Sequence, residues 1–258
     1  MEYVLRRKRL RVFAWAAVVV LAVLLFVVIV GNYQGIRGSA VGRIVLESDL
    51  NITNEQLLEM LNISGTAWGA LDVGEVEQRL ESYPVIRKAR VIKAFPDVLQ
   101  VYLYRRKPLA VILAETDSGV HSAVFDEEGY VIKIGEIFAE DNLPIISGID
   151  FGQPVLGARF PESIRYVLED LSSLRNDNSV LFSLVSEIEI LQREQAGYDL
   201  RLFMNHVSIP ILLGTDLSTG NIHKALMVLD ILHSGAAGTA KEADIRGENA
   251  VYNRVKEG

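Results

Sequence analysis

The sequence predicts an α+β protein with one N-terminal transmembrane helix and two domains behind it. Three observations predict this. An uncharged apolar run occupies residues 12–30, two capped helices are expected between residues 53 and 83, and apolar residues alternate on both sides of a tight turn at residues 95–97. A hairpin with one apolar face is not stable alone, so the two helices are expected to cover it.

The apolar run has the length of a membrane span. At ~1.5 Å per residue, a helix over residues 12–30 matches a hydrocarbon core of ~30 Å. Residues 1–11 carry five basic side chains and one acidic one, which predicts a cytoplasmic tail and extracytoplasmic domains. A cleaved signal peptide is the alternative, with small residues at 38–40, but the run exceeds the usual h-region of ~7 to 15 residues. Residues 31–41 are predicted to be a linker.

Composition excludes several function classes. The net charge is −7 although the N-terminal tail is basic, so the body is strongly acidic and does not suit nucleic acid. The chain has no cysteine, which excludes disulfides, thiolate metal sites and a cysteine nucleophile. None of the four histidines has a ligand spacing, and no phosphate-binding loop or hydrolase motif occurs. We therefore expect no cofactor, no metal, no small-molecule substrate and no enzymatic activity.

The first domain begins with a strand and two helices. Thr53 is the expected N-cap of the first helix with Gln56 three residues later, and Asp72 has the same relation to Glu75 in the second. Pro84 ends the second helix. Two strands follow, so the predicted order is strand, helix, helix, strand, strand.

Three motifs accompany the two strands: Pro84-Val85 before the first strand, an aromatic-Pro-Asp-x-Leu turn at 95–99 and a basic-Pro exit at 105–108. Through these motifs, residues 49–112 resemble a POTRA domain, more narrowly that of the FtsQ/DivIB cell-division proteins. The resemblance implies a POTRA domain at residues 42–110. It also implies an FtsQ-type β domain at 111–258, with a mixed, mainly antiparallel sheet and two helices.

The second domain has weaker motifs of the same family. Residues 143–148 resemble its Leu-Pro-x-x-x-Gly segment, residues 211–214 its Leu-Gly ending and residues 243–246 its Asp-Leu-Arg signature. Gly247 stands where the family commonly has an aromatic residue. Amphipathic helices are expected from Pro161 and over residues 221–233, with a short strand around residues 250–254.

Three carboxylates, Asp126, Glu127 and Glu128, precede Gly129. A cation site and an acid–base pair are possible interpretations of such a group. The glycine favours a third one, a solvated turn between two strands.

The family resemblance implies a function without catalysis. It implies a divisome scaffold in the cytoplasmic (inner) membrane that holds coiled-coil partners of the FtsB/FtsL type at the septum. The alternative is a POTRA-type chaperone or a component of secretion or outer-membrane assembly. An anchored extracytoplasmic hydrolase is the third interpretation, and it lacks a recognisable nucleophile or metal constellation.

We expect partners to bind at the last strand by strand addition, in which an edge strand pairs with an incoming segment. The other interpretation is an ordinary strand that closes the domain, with Asp244 and Arg246 paired. The candidate residues are Asp244, Ile245, Arg246, Glu248, Val251 and Tyr252.

A second candidate surface is the basic face of the first hairpin, which suits an acidic partner or anionic lipid headgroups. The alternative interpretation is a solvated face whose charges protect a sheet edge from unwanted pairing. Its residues are Arg87, Lys88, Arg90, Tyr102, Tyr104, Arg105 and Arg106.

Overall fold

The protein divides into two compact units. The structure, a computed structural model, describes residues 15, 17–31, 40–116, 119–135, 142–160, 164–194, 197–205, 207–236, 240–247 and 249–254. The first unit comprises Met1–Ser82 and Ile86–Arg105, and the second Tyr83–Val85 and Arg106–Gly258. Each unit has its own β-sheet.

The N-terminal segment is helical from residue 17 to residue 31, and its apolar side chains are exposed. Residues 1–14 and 16 lie outside the described residues, as do residues 32–39 of the expected linker. Within the described part of the chain, no helix is both long enough and apolar enough to cross a membrane. The span at 12–30 therefore stays a prediction.

The first unit has the predicted order of elements. They are β1 (Arg43–Ser48), α1 (Asn54–Leu61), α2 (Val73–Glu81), β2 (Ile86–Ala94) and β3 (Val98–Arg105). The sheet order is β1-β3-β2, with β1 parallel and β2 antiparallel to the central strand β3. This arrangement confirms the strand, helix, helix, strand, strand topology.

Side chains at the helix starts make the predicted caps. Thr53 Oγ1 accepts from Gln56 N at 3.3 Å while Gln56 Oε1 accepts from Thr53 N at 2.9 Å, a reciprocal capping box. Asp72 Oδ1 caps α2 by accepting from Gly74 N at 2.8 Å and from Glu75 N at 3.4 Å. The buried faces of the helices and the hairpin form the core of the unit: Leu57, Leu61, Val76, Leu80, Ile86, Ala89, Val91, Leu99, Val101 and Leu103.

The second unit contains a mixed sheet of nine strands. They are β4 (Pro108–Thr116), β5 (Gly119–Asp126), β6 (Val131–Ile134), β7 (Ile145–Ser147), β8 (Val185–Gln192), β9 (Tyr198–Met204), β10 (Val207–Leu213), β11 (Ala240–Asp244) and β12 (Val251–Arg254). Their order is β12-β11-β10-β9-β8-β7-β4-β5-β6. Pairs β4/β7, β7/β8 and β10/β11 are parallel and the others antiparallel, which confirms a mixed, mainly antiparallel sheet.

The helices of this unit differ from the expectation of two. Its described residues form α3 (Arg165–Asp177), α4 (Ser179–Leu184) and α5 (Thr219–Ile231), and a π-helical turn (Leu232–Ala236) continues α5. Six residues are too few to show a helical period, so α4 gives no pattern in the sequence. Asn178 starts it by accepting a hydrogen bond from Leu181 N at 3.1 Å. Pro161, the predicted start of α3, lies outside the described residues.

The capping box of α1 generates a stability prediction. Thr53→Ala removes the side-chain acceptor and should lower the free energy of unfolding of the first unit by about 1 kcal/mol. Thr53→Ser keeps the hydroxyl and should stay close to the wild type. Urea unfolding of the full chain measures both, and equal stability of the alanine variant and the wild type would contradict a stabilising cap.

Candidate partner-binding site

Strand β12 lies at one edge of the nine-stranded sheet. It pairs with β11, and no other described strand lies beside it. Val251 is 62% exposed and Tyr252 36% exposed. An edge of this kind presents backbone N–H and C=O groups that an extended segment can pair with.

A cluster of charged side chains fixes the segment between β11 and β12. Arg246 donates to Asp244 Oδ2 at 2.6 Å and to Asp199 Oδ2 at 2.9 Å. Arg193 also donates to Asp199, whose side chain is only 9% exposed. Because Asp199 belongs to β9, Arg246 ties the end of β11 to a strand two positions further into the sheet.

The cluster keeps its carboxylates charged. Hydrogen bonds from Arg193, and then from Arg246, hold the pKa of Asp199 below its usual value despite burial. The bond from Arg246 likewise lowers the pKa of Asp244. The hydrogen bond to Asp244, followed by the one to Asp199, raises the pKa of Arg246. All three groups are therefore ionised at neutral pH.

The residue between the charged pair anchors the segment. Ile245 is 5% exposed and its backbone N–H donates to Leu212 O at 3.0 Å. Lys224 of α5 donates to Ile245 O at 3.2 Å and to Gly247 O at 2.8 Å. Ile245 therefore packs inward and offers no side-chain surface to a partner.

The predicted binding residues thus have different positions. Val251 and Tyr252 are exposed on the edge strand, Asp244 and Arg246 form the ion pair of the alternative interpretation, and Ile245 is in the core. Glu248 lies outside the described residues. The binding role of the strand stays a prediction.

Sequence reasoning missed a second ion cluster near the same edge. Arg201 of β9 contacts Glu189 of β8 at 2.7 Å and Glu242 of β11 at 2.9 Å. Charged residues that alternate with apolar ones on neighbouring strands are the signal that could have indicated it.

Two cation–tyrosine pairs form the centre of the basic face of the first unit. In the register of β2 and β3, Lys88 lies opposite Tyr104 and Arg90 opposite Tyr102. Arg87 and Arg105 are also exposed, and the backbone N–H of Arg105 donates to Asp49 Oδ1 at 3.0 Å. The cations and tyrosines are therefore adjacent as expected, while the docking role of this face stays a prediction.

Arg106 differs from its neighbours on that predicted face. Its side chain is 10% exposed, contacts Asp126 at 2.7 Å and Glu128 at 2.8 Å, and lies 4.1 Å from the centre of the Tyr130 ring. The guanidinium is therefore engaged within the second unit rather than presented to solvent.

The interpretation of the acidic turn as solvated is wrong for Asp126, which is 1% exposed. One carboxylate oxygen accepts from Glu128 N at 3.0 Å and Tyr130 N at 2.8 Å, and the other from Arg106. These donors replace water, which is why the charge is tolerated inside the protein.

The described residues include no group of three or more His, Cys, Asp or Glu side chains placed to hold a metal ion.

Comparison with known proteins assigns the first unit. The family model "POTRA domain, FtsQ-type" matches residues 39–105. The predicted resemblance to the FtsQ/DivIB family is confirmed. Over 111 residues the chain is 33% identical to the cell division protein FtsQ of Syntrophotalea carbinolica, a match that covers 43% of this chain and 38% of that protein. The FtsQ-type POTRA domain thus comprises β1 to β3 with α1 and α2, and the match covers well under two thirds of the relative.

The pair Arg105 and Arg106 generates a stability prediction with a built-in control. Arg106→Ala leaves the buried carboxylate of Asp126 without its cation and should lower the free energy of unfolding by about 3 kcal/mol or more. Arg105→Ala removes an exposed side chain and should change it by less than about 0.5 kcal/mol. Chemical unfolding of the full chain measures both. Equal effects of the two substitutions would show that the buried ion pair does not stabilise the unit.

Asp199 generates a prediction of pH dependence. Its folded pKa lies below the unfolded value of about 3.9, so its contribution to stability is complete above that pH and is lost as the pH falls through the folded pKa. Asp199→Asn should cost about 1 to 3 kcal/mol at pH 7 and progressively less towards pH 2. Asp230→Asn, at an exposed position of α5, is the control and should have little effect at either pH. A cost for Asp199→Asn that does not change with pH would contradict the ionised cluster.

Proposed function

We propose that the chain is a non-enzymatic scaffold of bacterial cell division. The FtsQ-type POTRA domain is the single observation that carries this proposal. The similarity to a cell division protein FtsQ supports it further. The role is to hold other division proteins at the septum through protein–protein contacts.

The proposal includes a membrane anchor at residues 12–30, with the basic tail in the cytoplasm, and the POTRA domain and the second unit on the extracytoplasmic side. The exposed apolar side chains of the helical residues 17–31 support this, since such a surface suits lipid better than water. The five basic residues of the tail support the orientation.

The proposed partners are coiled-coil proteins of the FtsB/FtsL type, and an extended segment of the partner adds to β12. The edge position of this strand and the exposure of Val251 and Tyr252 support that site. The ion pairs of Arg246 with Asp199 and Asp244 support it as well, because they hold the preceding segment in place before the partner arrives. A preformed edge lowers the entropic cost of association.

A charge on the exposed edge tests this mode of binding. Val251→Glu places a carboxylate where the proposed partner strand packs, and should reduce co-purification with co-expressed FtsB/FtsL-type proteins about tenfold or more. The matched control is Ile134→Glu on β6, the strand at the opposite edge, where Ile134 is 37% exposed. It should leave capture unchanged.

Thermal unfolding of both variants verifies that they remain folded. Undiminished capture by folded Val251→Glu protein would contradict strand addition at β12.

A fluorescent fusion of the wild-type chain tests the cellular role separately. The fusion should gather at the division site. An even distribution around the cell would instead favour a component of secretion or outer-membrane assembly.

A further inference from the structure

Helix α2 of the POTRA domain places two carboxylates along the outer edge of β2. The order β1-β3-β2 leaves β2 with a neighbouring strand on one side within the described part of the chain. On its other side, Glu77 Oε1 accepts from the backbone N–H of Val91 at 2.7 Å, and Glu81 Oε1 accepts from that of Ala89 at 3.0 Å. Side chains thus occupy two donors that an added strand would need.

The spacing of the two carboxylates matches the spacing of the two amides. Residues four apart on a helix are separated by ~6 Å along its axis, and residues two apart on a strand by ~6.6 Å. Glu77 and Glu81 are four apart, and Ala89 and Val91 are two apart. Since the earlier glutamate contacts the later strand residue, α2 runs antiparallel to β2, and one helical step of four residues spans one strand step of two.

The core of the domain holds the glutamates in this position. Val76 and Leu80 immediately precede Glu77 and Glu81 and are 2% and 0% exposed. On the strand, the side chains of Ala89 and Val91 are buried as well. The packing that positions α2 therefore also fixes where its carboxylates lie, and the bonds are part of the folded domain.

We propose that Glu77 and Glu81 close the outer edge of β2 to strand addition. Their side-chain oxygens already accept from two successive outward N–H groups within the folded domain, so an incoming strand must first displace both acceptors. The segment that fits the opened edge is an extended one with acidic side chains, because Lys88 and Arg90 are exposed on β2. The contact directs edge pairing away from the POTRA domain.

Residue-resolved hydrogen exchange of the full chain in detergent tests the bonds. In the wild type, the amides of Ala89 and Val91 should exchange much more slowly than the outward amides of β1, the opposite edge strand. Glu77→Ala should accelerate exchange at Val91 about tenfold and leave Ala89 unchanged, and Glu81→Ala should do the converse. Glu77→Gln and Glu81→Gln keep an acceptor oxygen and should stay close to the wild type.

The amide of Val101 on the central strand β3 reports whether each variant is folded. Unchanged exchange at Val91 in a folded Glu77→Ala variant would overturn the proposal. So would rapid exchange of both edge amides in the wild type, a result that needs no variant to fold.

A binding measurement tests whether the edge is closed to a strand. The probe is a labelled eight-residue peptide of alternating valine and glutamate, followed by fluorescence anisotropy. The double variant Glu77→Ala, Glu81→Ala should bind it about tenfold more tightly than the wild type and than Glu77→Gln, Glu81→Gln. The alanine and glutamine pairs lack the same two charges, so their difference isolates the acceptor oxygens. Equal binding by both pairs would overturn the proposal.

Discussion

The outermost strand of every open sheet carries backbone N–H and C=O groups that need partners, and this requirement organises both units. In the POTRA domain, β2 is an edge whose amides at Ala89 and Val91 are satisfied by glutamates of the covering helix. In the second unit, β12 is an edge on which Val251 and Tyr252 are exposed. A scaffold that binds by strand addition must offer one edge and protect the others, since edges do not by themselves distinguish partners.

Charged side chains have different roles near the outer edge of β2 and near β12. On α2, the carboxylates act as hydrogen-bond acceptors for the backbone of their own domain. Near β12, the carboxylate of Asp199 receives Arg193 and Arg246, and Arg201 contacts both Glu189 and Glu242. These side-chain contacts span strands β8 to β11. They hold the register of the strands that support the edge and leave the backbone of the edge strand itself outside the cluster.

Local patterns predicted the elements and their order well, because caps and periodicity depend on neighbouring residues alone. Thr53, Asp72 and the alternation on β3 correctly indicated α1, α2 and the hairpin. The six residues of α4 were missed, since a helix of that length shows no period in the sequence.

Long-range contacts were missed for another reason. Arg106 and Asp126 are twenty residues apart, so the sequence predicts Arg106 on an exposed basic face and Asp126 in a solvated turn, although together they form a buried ion pair. The position of Val251 and Tyr252 on an edge was predicted, whereas the burial of Ile245 was not.

The two glutamates that close the edge of β2 have no distinguishing pattern in the sequence. Glu77 and Glu81 occupy positions of α2 next to buried Val76 and Leu80, and acidic side chains at such positions normally indicate a solvated helix face. Their role follows only from the antiparallel packing of α2 on β2, which aligns a four-residue helical step with a two-residue strand step. The same geometry applies wherever a helix covers an edge strand in this direction. In this domain that alignment brings Glu77 to Val91 and Glu81 to Ala89.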